Sequence, residues 1–266
     1  MRIISIGSGS KGNCMFAEIN GVRFLIDVGL SMKKINLGLL MTVGIDLEDI
    51  DVLLITHSHS DHTHSLKPIS KRYDMKIIMP KEVYEDIVNE KKYVIDSDKI
   101  SIINGKNVTT GKLVDIEPVK VNHDVPAYAY ILTDKSSGET YLHLADNGGI
   151  KRKDMVEKFK GMTYYAIESN YDHRSEIFHE TRPILTKRRT IGYYGHTENS
   201  EAINFATRVV TPSTKGIIFH HLSQQCNTPE LAKATHEKML EIFGNVRLMA
   251  NVRMVYALQD EAVELT

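Results

Sequence analysis

The stretch that decides the fold is His57-Ser58-His59-Ser60-Asp61-His62, which places three imidazoles and one carboxylate within six residues. It follows Asp51 to Thr56, an apolar segment with the composition of a buried strand. A turn at the carboxyl end of such a strand can direct all four side chains toward one volume, a common arrangement for a catalytic site. Imidazole and carboxylate suit zinc, manganese or iron, and the absence of paired cysteines argues against a closed structural zinc site. The pattern therefore predicts a metal centre.

The composition is that of an ordinary globular protein. Hydrophobic residues make up 42% of the 266-residue chain, and no apolar run reaches the roughly 18 to 20 residues that a membrane helix needs. The start, Met1 to Gly12, lacks the basic leader and the apolar stretch of a signal peptide. Cys14 and Cys226 are too few for a disulfide framework. We therefore expect a cytoplasmic protein with no membrane association.

The charge of the chain is balanced, because 33 basic residues stand against 34 acidic ones and give a net charge of -1. This balance offers no global attraction for a long polyanion. The densest basic run is Lys187-Arg188-Arg189, and three adjacent charges usually form a solvated face. A local basic patch stays open as the alternative.

Strand and helix patterns alternate along the chain. Strands are predicted at Ile3 to Ile6, Met15 to Ile19, Val22 to Asp27, Asp51 to Thr56, Lys76 to Met79, Tyr128 to Thr133 and Thr140 to Leu144. Helices are predicted between Ser31 and Gly44 and at Asp61 to Arg72, Lys81 to Glu90, Met155 to Lys160, Ser200 to Val210 and Pro229 to Ile242. Asn20-Gly21 is a strong hairpin signal, Thr228 is a predicted N-cap, and strands dominate from Lys99 to Leu144. Without a repeat or linker, we expect one α/β domain over residues 1–266.

The histidine-rich stretch resembles the signature of the metallo-β-lactamase superfamily, and further motifs follow in the order of that family. Val121-Asn122-His123-Asp124 resembles its third motif, so His123 is the proposed ligand. Leu144-Ala145-Asp146-Asn147-Gly148 resembles the motif whose aspartate bridges two metals, although Asn147 stands where threonine is more usual. The resemblance implies the αββα sandwich of that family.

The last ligand is expected within Phe219-His220-His221-Leu222-Ser223, which offers two neighbouring histidines. Adjacent residues of a strand face opposite sides, so only one of them can point into the site. His221-Leu222-Ser223 is similar to the closing motif of the RNase Z group, which favours His221 as the ligand. His220 is the alternative.

The resemblance implies a two-metal centre. One metal would take His57, His59 and His123, the other would take Asp61, His62 and His221, and Asp146 would bind both. We expect two divalent ions, Zn²⁺ in the first place and Mn²⁺ as the alternative. Two such cations can activate water and stabilise the entering and leaving oxygens of a displacement, so hydrolysis is the predicted reaction.

Two later motifs resemble the RNase Z and YycJ-like branch, namely Ile167 to Asp172 and Tyr194 to Asn199. There a histidine beside the metals donates a proton to the leaving alkoxide and a glutamate orients it. The predicted catalytic residues are therefore Asp61, His196 and Glu168, and the predicted substrate-binding residues are Asn170 and Asp172. The alternative is that Glu168 forms a surface pair while His196 caps the following helix.

The glycine-rich turn Gly7 to Asn13 resembles the opening of YycJ-like proteins. It lacks the ending of a Walker A loop. A flexible turn and a segment that lines the site are both open interpretations.

Several substrates fit this branch, since the fold alone does not name one. The sequence contains no insertion long enough for a tRNA-clamping arm or for a β-CASP domain. Together with the balanced charge, this favours a small substrate, and the chain looks similar to phage anti-Pycsar phosphodiesterases. The first hypothesis is therefore hydrolysis of cyclic nucleotides such as cyclic CMP and cyclic UMP to nucleoside monophosphates, as a phage counter-defence.

Two alternatives stand beside cyclic-nucleotide hydrolysis. One is a YycJ-like DNA exonuclease or small RNase Z-like nuclease, with nucleic acid as its partner. The other is a metal-binding protein that sequesters a nucleotide without turnover. Because RNase Z relatives commonly dimerise, we also expect a homodimer.

Overall fold

The strand-forming segments pair into two sheets in the computed structural model, which describes residues 1–91, 95, 97–104, 108–110, 113–150 and 153–266. Within these ranges each sheet has seven strands. The first sheet contains β1 (Arg2–Gly7), β2 (Cys14–Ile19), β3 (Val22–Ile26), β4 (Val52–Leu54), β5 (Lys76–Pro80), β6 (Ile100–Ile103) and the late β14 (Val263–Glu264). The second sheet contains β7 (Val108–Thr110), β8 (Val114–Val121), β9 (Ala127–Asp134), β10 (Thr140–Leu144), β11 (Tyr164–Glu168), β12 (Gly216–His220) and β13 (Arg253–Tyr256).

Both sheets change from antiparallel to parallel pairing along their width. The spatial orders are β14-β1-β2-β3-β4-β5-β6 and β13-β12-β11-β10-β9-β8-β7. In the first sheet β1, β2 and β3 pair antiparallel, whereas β3, β4, β5 and β6 pair parallel. In the second sheet the strands from β7 to β10 pair antiparallel and those from β10 to β13 pair parallel. Parallel neighbours need long crossover connections, and most of these contain helices.

The helices are short to medium in length. They are α1 (Met32–Thr42), α2 (Ser60–Thr63), α3 (Leu66–Arg72), α4 (Lys81–Lys91), α5 (Lys153–Phe159), α6 (His173–Ile177), α7 (Ile184–Ile191), α8 (Asn199–Val209), α9 (Pro229–Ile242) and α10 (Val246–Met249). Among the described residues, no helix combines the length and the apolar character that a membrane crossing would require.

Three apolar layers hold the sheets and helices together. The middle layer joins the sheets, where Phe24 of β3 and Leu132 of β9 belong to one buried cluster. One outer layer packs α1, α3 and α4 on the first sheet and includes Ile69, and the other packs α5, α8 and α9 on the second sheet and includes Phe205. Each such buried side chain contributes roughly 1.5 to 3 kcal/mol. The predicted αββα sandwich is therefore confirmed.

The predicted turns and caps agree with the structure. Asn20 and Gly21 both have positive φ angles, 50° and 77°, as a two-residue hairpin turn of this kind requires. Ser31 accepts a hydrogen bond from Lys34 N and so caps α1, and Thr228 caps α9 in the same way.

The single helix predicted from Asp61 to Arg72 was wrong, because two helices, α2 and α3, occupy this segment. The helical hydrogen bonds are replaced by tertiary ones at the break. Asp61 O accepts from Asn13 N, and Ser65 N donates to Val28 O instead of continuing the helix. The neighbouring loop thus competes successfully with helix propagation.

Three helices, α6, α7 and α10, were not predicted. They have five, eight and four residues, too few for a periodic apolar pattern to stand out. Positions 105–107 and 111–112 of the strand-rich interval predicted from Lys99 to Leu144 lie outside the described residues.

Candidate metal centre

The candidate site lies where strands of both sheets end. Asp61 and its neighbours follow β4, His123 follows β8, Asp146 follows β10, and His221 follows β12. Glu168 is the last residue of β11. Because these strand ends share one edge of the sandwich, side chains distant in sequence meet there.

The first group of convergent side chains contains His57, His59, His123 and Asp146. His59 Nδ1 lies 3.2 Å from His123 Nε2. Asp146 Oδ2 lies 3.4 Å from His57 Nε2 and 3.5 Å from His123 Nε2. The four side chains thus direct one ligand atom each toward a common volume.

The second group contains Asp61, His62 and His221. Asp61 Oδ2 lies 3.5 Å from His62 Nε2 and 3.4 Å from His221 Nε2. Asp146 Oδ2 is also 3.6 Å from His62 Nε2, so this oxygen stands between the two groups. The structure therefore brings all seven predicted ligands close together, and Asp146 and His221 also converge with Glu168 and His196.

The residues present fit a pair of divalent ions. Two ligand atoms that bind one zinc ion tetrahedrally at about 2.0 to 2.1 Å are roughly 3.3 to 3.4 Å apart, close to the separations observed here. His57 Nε2 and Asp146 Oδ1 are buried and have no hydrogen-bond partner of acceptable geometry among the described residues, although His221 Nδ1 is 2.8 Å from Asp146 Oδ1. Buried polar atoms without a partner are costly, and a bound cation would remove that cost.

A buried carboxylate that the sequence analysis missed, Asp27, determines which nitrogens face the site. Asp27 Oδ1 accepts from Thr56 N at 2.8 Å, and Oδ2 accepts from Thr56 Oγ1 and from His62 Nδ1, both at 2.7 Å. Since the Thr56 hydroxyl gives its proton to Asp27, it can only accept from His57 Nδ1, which is 3.0 Å away. The neutral forms of His57 and His62 therefore both direct an Nε2 lone pair toward the centre.

The other imidazoles are oriented from outside the centre as well. His123 Nδ1 donates to Gly195 O at 3.2 Å, which leaves its Nε2 lone pair for the site. His59 Nε2 lies 3.2 Å from Asp124 Oδ1, and Asp124 Oδ2 is 2.7 Å from Arg189 Nε. In the sequence Asp124 is only the neighbour of the proposed ligand His123, and its contact with His59 forms only on folding.

Three residues of the centre have a left-handed backbone. The φ angles are 61° at Asp27, 35° at Asp146 and 58° at His221. Such conformations cost a side-chain-bearing residue free energy and concentrate at functional sites. The bend at His221 turns its ring into the centre, whereas His220 on β12 points away and its Nε2 donates to Leu144 O. The structure thus separates the two histidines as the sequence analysis expected.

The chain segment that carries Asp61 packs closely on Gly29. A Cβ atom on Gly29 would lie 1.5 Å from Asp61 O, which no side chain can tolerate. Asn13 N donates to the same carbonyl. The glycine-rich turn that ends at Asn13 therefore supports the site, and its Ser10 lines the cleft above it.

His196 and Glu168 form a hydrogen-bonded pair beside the two groups. His196 Nδ1 donates to Glu168 Oε1 at 2.7 Å. The fully buried Glu168 also accepts from Asn147 N and Thr197 N, each at 3.0 Å. Burial would lower the pKa of His196, but the attraction and hydrogen bond of Glu168 outweigh it and raise that pKa. The pair is therefore not a surface contact, and the raised pKa favours a second proton on His196 Nε2, the ring nitrogen that is not bonded to Glu168.

The metal-free cluster binds protons tightly. Burial lowers the pKa of His62, but Asp146, Asp27 and Asp61 together raise it to about 10. The pKa of His221 is likewise raised well above its ordinary value, because Asp146 outweighs the effect of burial. A cation that binds here must displace these protons.

The two predicted substrate-binding residues lie in different places. Asn170 lines the cleft, and its Nδ2 donates to His221 O at 2.8 Å. The structure does not bring Asp172 to the cleft, because its side chain caps α6 by accepting from Ser175 N at 2.8 Å. Its position before a helix was the signal for a cap.

Comparisons with known proteins agree with this geometry. A model of the Metallo-beta-lactamase superfamily matches residues 7–182. Exodeoxyribonuclease WalJ of Streptococcus pneumoniae is 34% identical over 239 residues, which cover 86% of this chain and 84% of the relative. Anti-Pycsar protein Apyc1 of Paenibacillus harenae is 25% identical over 181 residues, 56% of this chain and 73% of the relative.

The fold comparison covers nearly the whole chain. The metallo-beta-lactamase fold protein YhfI from Bacillus subtilis has a TM-score of 0.70 at 15% identity and covers 99% of this chain and 98% of its own. Relatives of all three predicted kinds, YycJ, RNase Z and anti-Pycsar proteins, were found. The resemblance drawn from the motifs is therefore confirmed.

Proposed function

Because the chain belongs to the metallo-β-lactamase superfamily, we propose that it is a two-metal phosphodiesterase that removes nucleotides from DNA. The observation that carries this proposal is the convergence of seven ligand side chains beside the proton-holding pair of His196 and Glu168. The similarity to an exodeoxyribonuclease over 86% of the chain supports DNA as the substrate class.

The proposed ligands divide into the two groups described above. His57, His59 and His123 would hold one ion, Asp61, His62 and His221 would hold the other, and Asp146 would bind both. Two divalent ions supply activation of water and stabilisation of negative charge on the phosphodiester oxygens. Zinc is the proposed ion, since imidazole nitrogen and carboxylate oxygen are its common ligands, and manganese is the alternative.

The chain's own acid is His196. Glu168 holds its Nδ1 proton, so its Nε2 is the atom that can deliver a proton to a leaving alkoxide. An alkoxide is a poor leaving group, and this step removes its charge as the bond to phosphorus breaks. The same side chain would serve a strained lactam less, which favours a phosphodiester substrate.

The cleft leaves room for a strand that extends beyond the reacting linkage. The cleft has a volume of about 210 Å³ and opens to solvent, with Ser10, Asn170, Arg182, Arg189 and His196 among its lining residues. An opening to solvent lets a strand extend beyond the reacting linkage, and it admits a mononucleotide as well.

Cyclic-nucleotide hydrolysis, the first hypothesis from the sequence, becomes the second candidate. The similarity to an anti-Pycsar protein and the net charge of -1 support it. The whole-chain domain without arm or insertion, the homodimer, the phage role and the cytoplasmic location stay predictions.

The test compares substrates and variants of the purified protein. Single-stranded and duplex DNA, RNA, cyclic CMP and cyclic AMP are incubated with protein supplied with Zn²⁺ or Mn²⁺. We expect release of mononucleotides from DNA, its loss in Asp61→Ala, and its retention in Asp74→Ala, which removes a carboxylate that is 99% exposed. Turnover of cyclic CMP with DNA untouched would establish the second candidate instead. Tight binding of a nucleotide without any turnover would contradict both.

A further inference from the structure

One wall of the cleft is built by α7 and the residues just before it. Arg182, Thr186, Arg189 and Thr190 line the cleft together with His59 and His196. Thr186 and Thr190 are four residues apart, so they lie on the same face of the helix. This wall contains none of the seven proposed metal ligands. Lys187-Arg188-Arg189, which was predicted to form a solvated face, contributes Arg189 to it.

Arg182 and Arg189 differ in how many donors are free. Arg182 Nε lies 3.0 Å from the fully buried Glu176, and its terminal nitrogens donate to Gln225, Cys226 and Thr190. Arg189 uses Nε for Asp124, and no described residue accepts a hydrogen bond from its terminal nitrogens. Its side chain is 60% exposed. Arg189, which lines the cleft, therefore keeps its terminal guanidinium nitrogens available, whereas Arg182 is a structural part of the wall.

The proton donor is fixed to the same wall. His196 N donates to Thr190 O at 2.9 Å. Gly195 approaches α7 so closely that a Cβ atom would lie 2.1 Å from Arg189 O. The oxygen that receives a proton from His196 belongs to the leaving nucleotide, so the leaving side of the substrate extends along this wall.

We propose that Arg189 binds a second phosphate, one nucleotide away from the cleaved linkage on the leaving-group side. The proposal rests on the proposed nuclease function and deepens it. A guanidinium fork matches the oxygens of a phosphate and forms two charge-assisted hydrogen bonds with it. The pairing of Nε with Asp124 orients the fork, and a mononucleotide has no second phosphate to occupy it.

Neighbouring charges of α7 do not share this role. Lys187 Nζ donates to the carbonyls of Ile177 and His179 and so holds α6 against α7. Arg188 lies in a separate apolar groove beside Ile184 and Ile191. Arg188→Gln is therefore a control with the same change of charge at the adjacent position.

The experiment removes the phosphate charge and the arginine separately and together. Two series of thymidine decamers serve as substrates. In the first series, one neutral methylphosphonate linkage lies next to the first cleaved linkage, on one side or the other. In the second series, the terminal phosphate is present or absent. Product analysis identifies the oxygen that leaves. The decamers separate an internal linkage from a terminal phosphate as the source of the second phosphate. Wild type, Arg189→Gln, Arg189→Lys and Arg188→Gln are compared by kcat/KM, with metal content measured for each.

We expect Arg189→Gln and the neutral leaving-side phosphate each to lower kcat/KM roughly tenfold to 100-fold, and their combination to lower it little further. The plot of log kcat/KM against log salt should lose about 0.7 of its slope in Arg189→Gln, the amount for one phosphate contact on a single strand. Arg189→Lys should restore the slope but only part of the rate, and Arg188→Gln should behave as wild type.

Two other results would overturn the inference. Additive losses, with the neutral linkage harming Arg189→Gln as much as wild type, would show that Arg189 does not bind that phosphate. A fall in metal content equal to the fall in rate would show that Arg189 acts through Asp124 and His59 alone. Failure of the wild-type protein to cleave any decamer would instead refute the nuclease function, and the inference with it.

Discussion

Replacing Asp27 by asparagine should weaken metal binding although Asp27 is not one of the proposed ligands. The carboxylate accepts from Thr56 N through one oxygen and from Thr56 Oγ1 and His62 Nδ1 through the other. An amide has one accepting atom and one donating atom. Whichever way it is turned, its N–H₂ faces a group that now donates, either Thr56 N–H or His62 Nδ1–H.

A change of the His62 tautomer removes this clash of two donors at the lowest cost in free energy. If Nδ1 loses its proton to accept from the amide, the proton moves to Nε2, which then has no lone pair for an ion. Groups that orient metal-bound histidines typically change affinity by roughly 10- to 100-fold, or about 1.4 to 2.7 kcal/mol. We therefore expect Asp27→Asn to weaken the binding of one of two ions by this amount.

Titration against a chromophoric chelator measures both affinities. Asp51→Asn is the matched control, because Asp51 also accepts a backbone hydrogen bond, from Arg23 N, but lies at the surface. Circular dichroism verifies that both variants are folded. Unchanged affinities in folded Asp27→Asn protein would refute the tautomer reasoning.

Three further predictions concern protons. His196→Ala should keep its metal content and slow DNA cleavage by roughly 100-fold or more, and full activity would disprove the proton-donor role. Metal affinity should rise with pH by about tenfold per unit for each proton displaced. The reason is that His62, whose pKa is about 10 without metal, and His221 must lose protons to bind an ion. Calorimetry in buffers of different ionisation enthalpy should detect the released protons, and an affinity independent of pH would contradict this prediction. Burial lowers the pKa of His236 to about 3, whereas a histidine of the unfolded chain has a pKa of about 6.5. Between these values only the unfolded chain binds the proton. The free energy of unfolding therefore decreases as the pH falls from about 6.5 to 3. The slope of unfolding free energy in that window should therefore be smaller in His236→Gln by up to about 1.4 kcal/mol per pH unit, measured by urea unfolding; equal slopes would show that His236 does not stay neutral.

The sequence predicted much of the fold because its signals are local. Apolar strands bounded by turns, and caps such as Thr228, depend on neighbouring residues only, and their predictions were confirmed. The helix expected from Asp61 to Arg72 failed because Val28 and Asn13, distant in sequence, take over its hydrogen bonds. Local propensity could not anticipate that competition.

The candidate site divides in the same manner. The proposed ligand residues stand in motifs that resemble those of the family, so each could be proposed from the sequence alone. Asp27 and Asp124 act on those ligands only through contacts made by folding, although a carboxylate directly after an apolar strand was a usable signal for Asp27. Arg189 was hidden in a charged run, since only the position of α7 separates it from Arg188.

The seven convergent side chains come from both sheets. His57 to His62 follow the first sheet, whereas His123, Asp146 and His221 follow the second. Any ion bound by side chains from both groups would cross-link the two sheets. Chelation should consequently lower the melting temperature as well as stop turnover. A cell that is starved of the metal would then contain less folded protein.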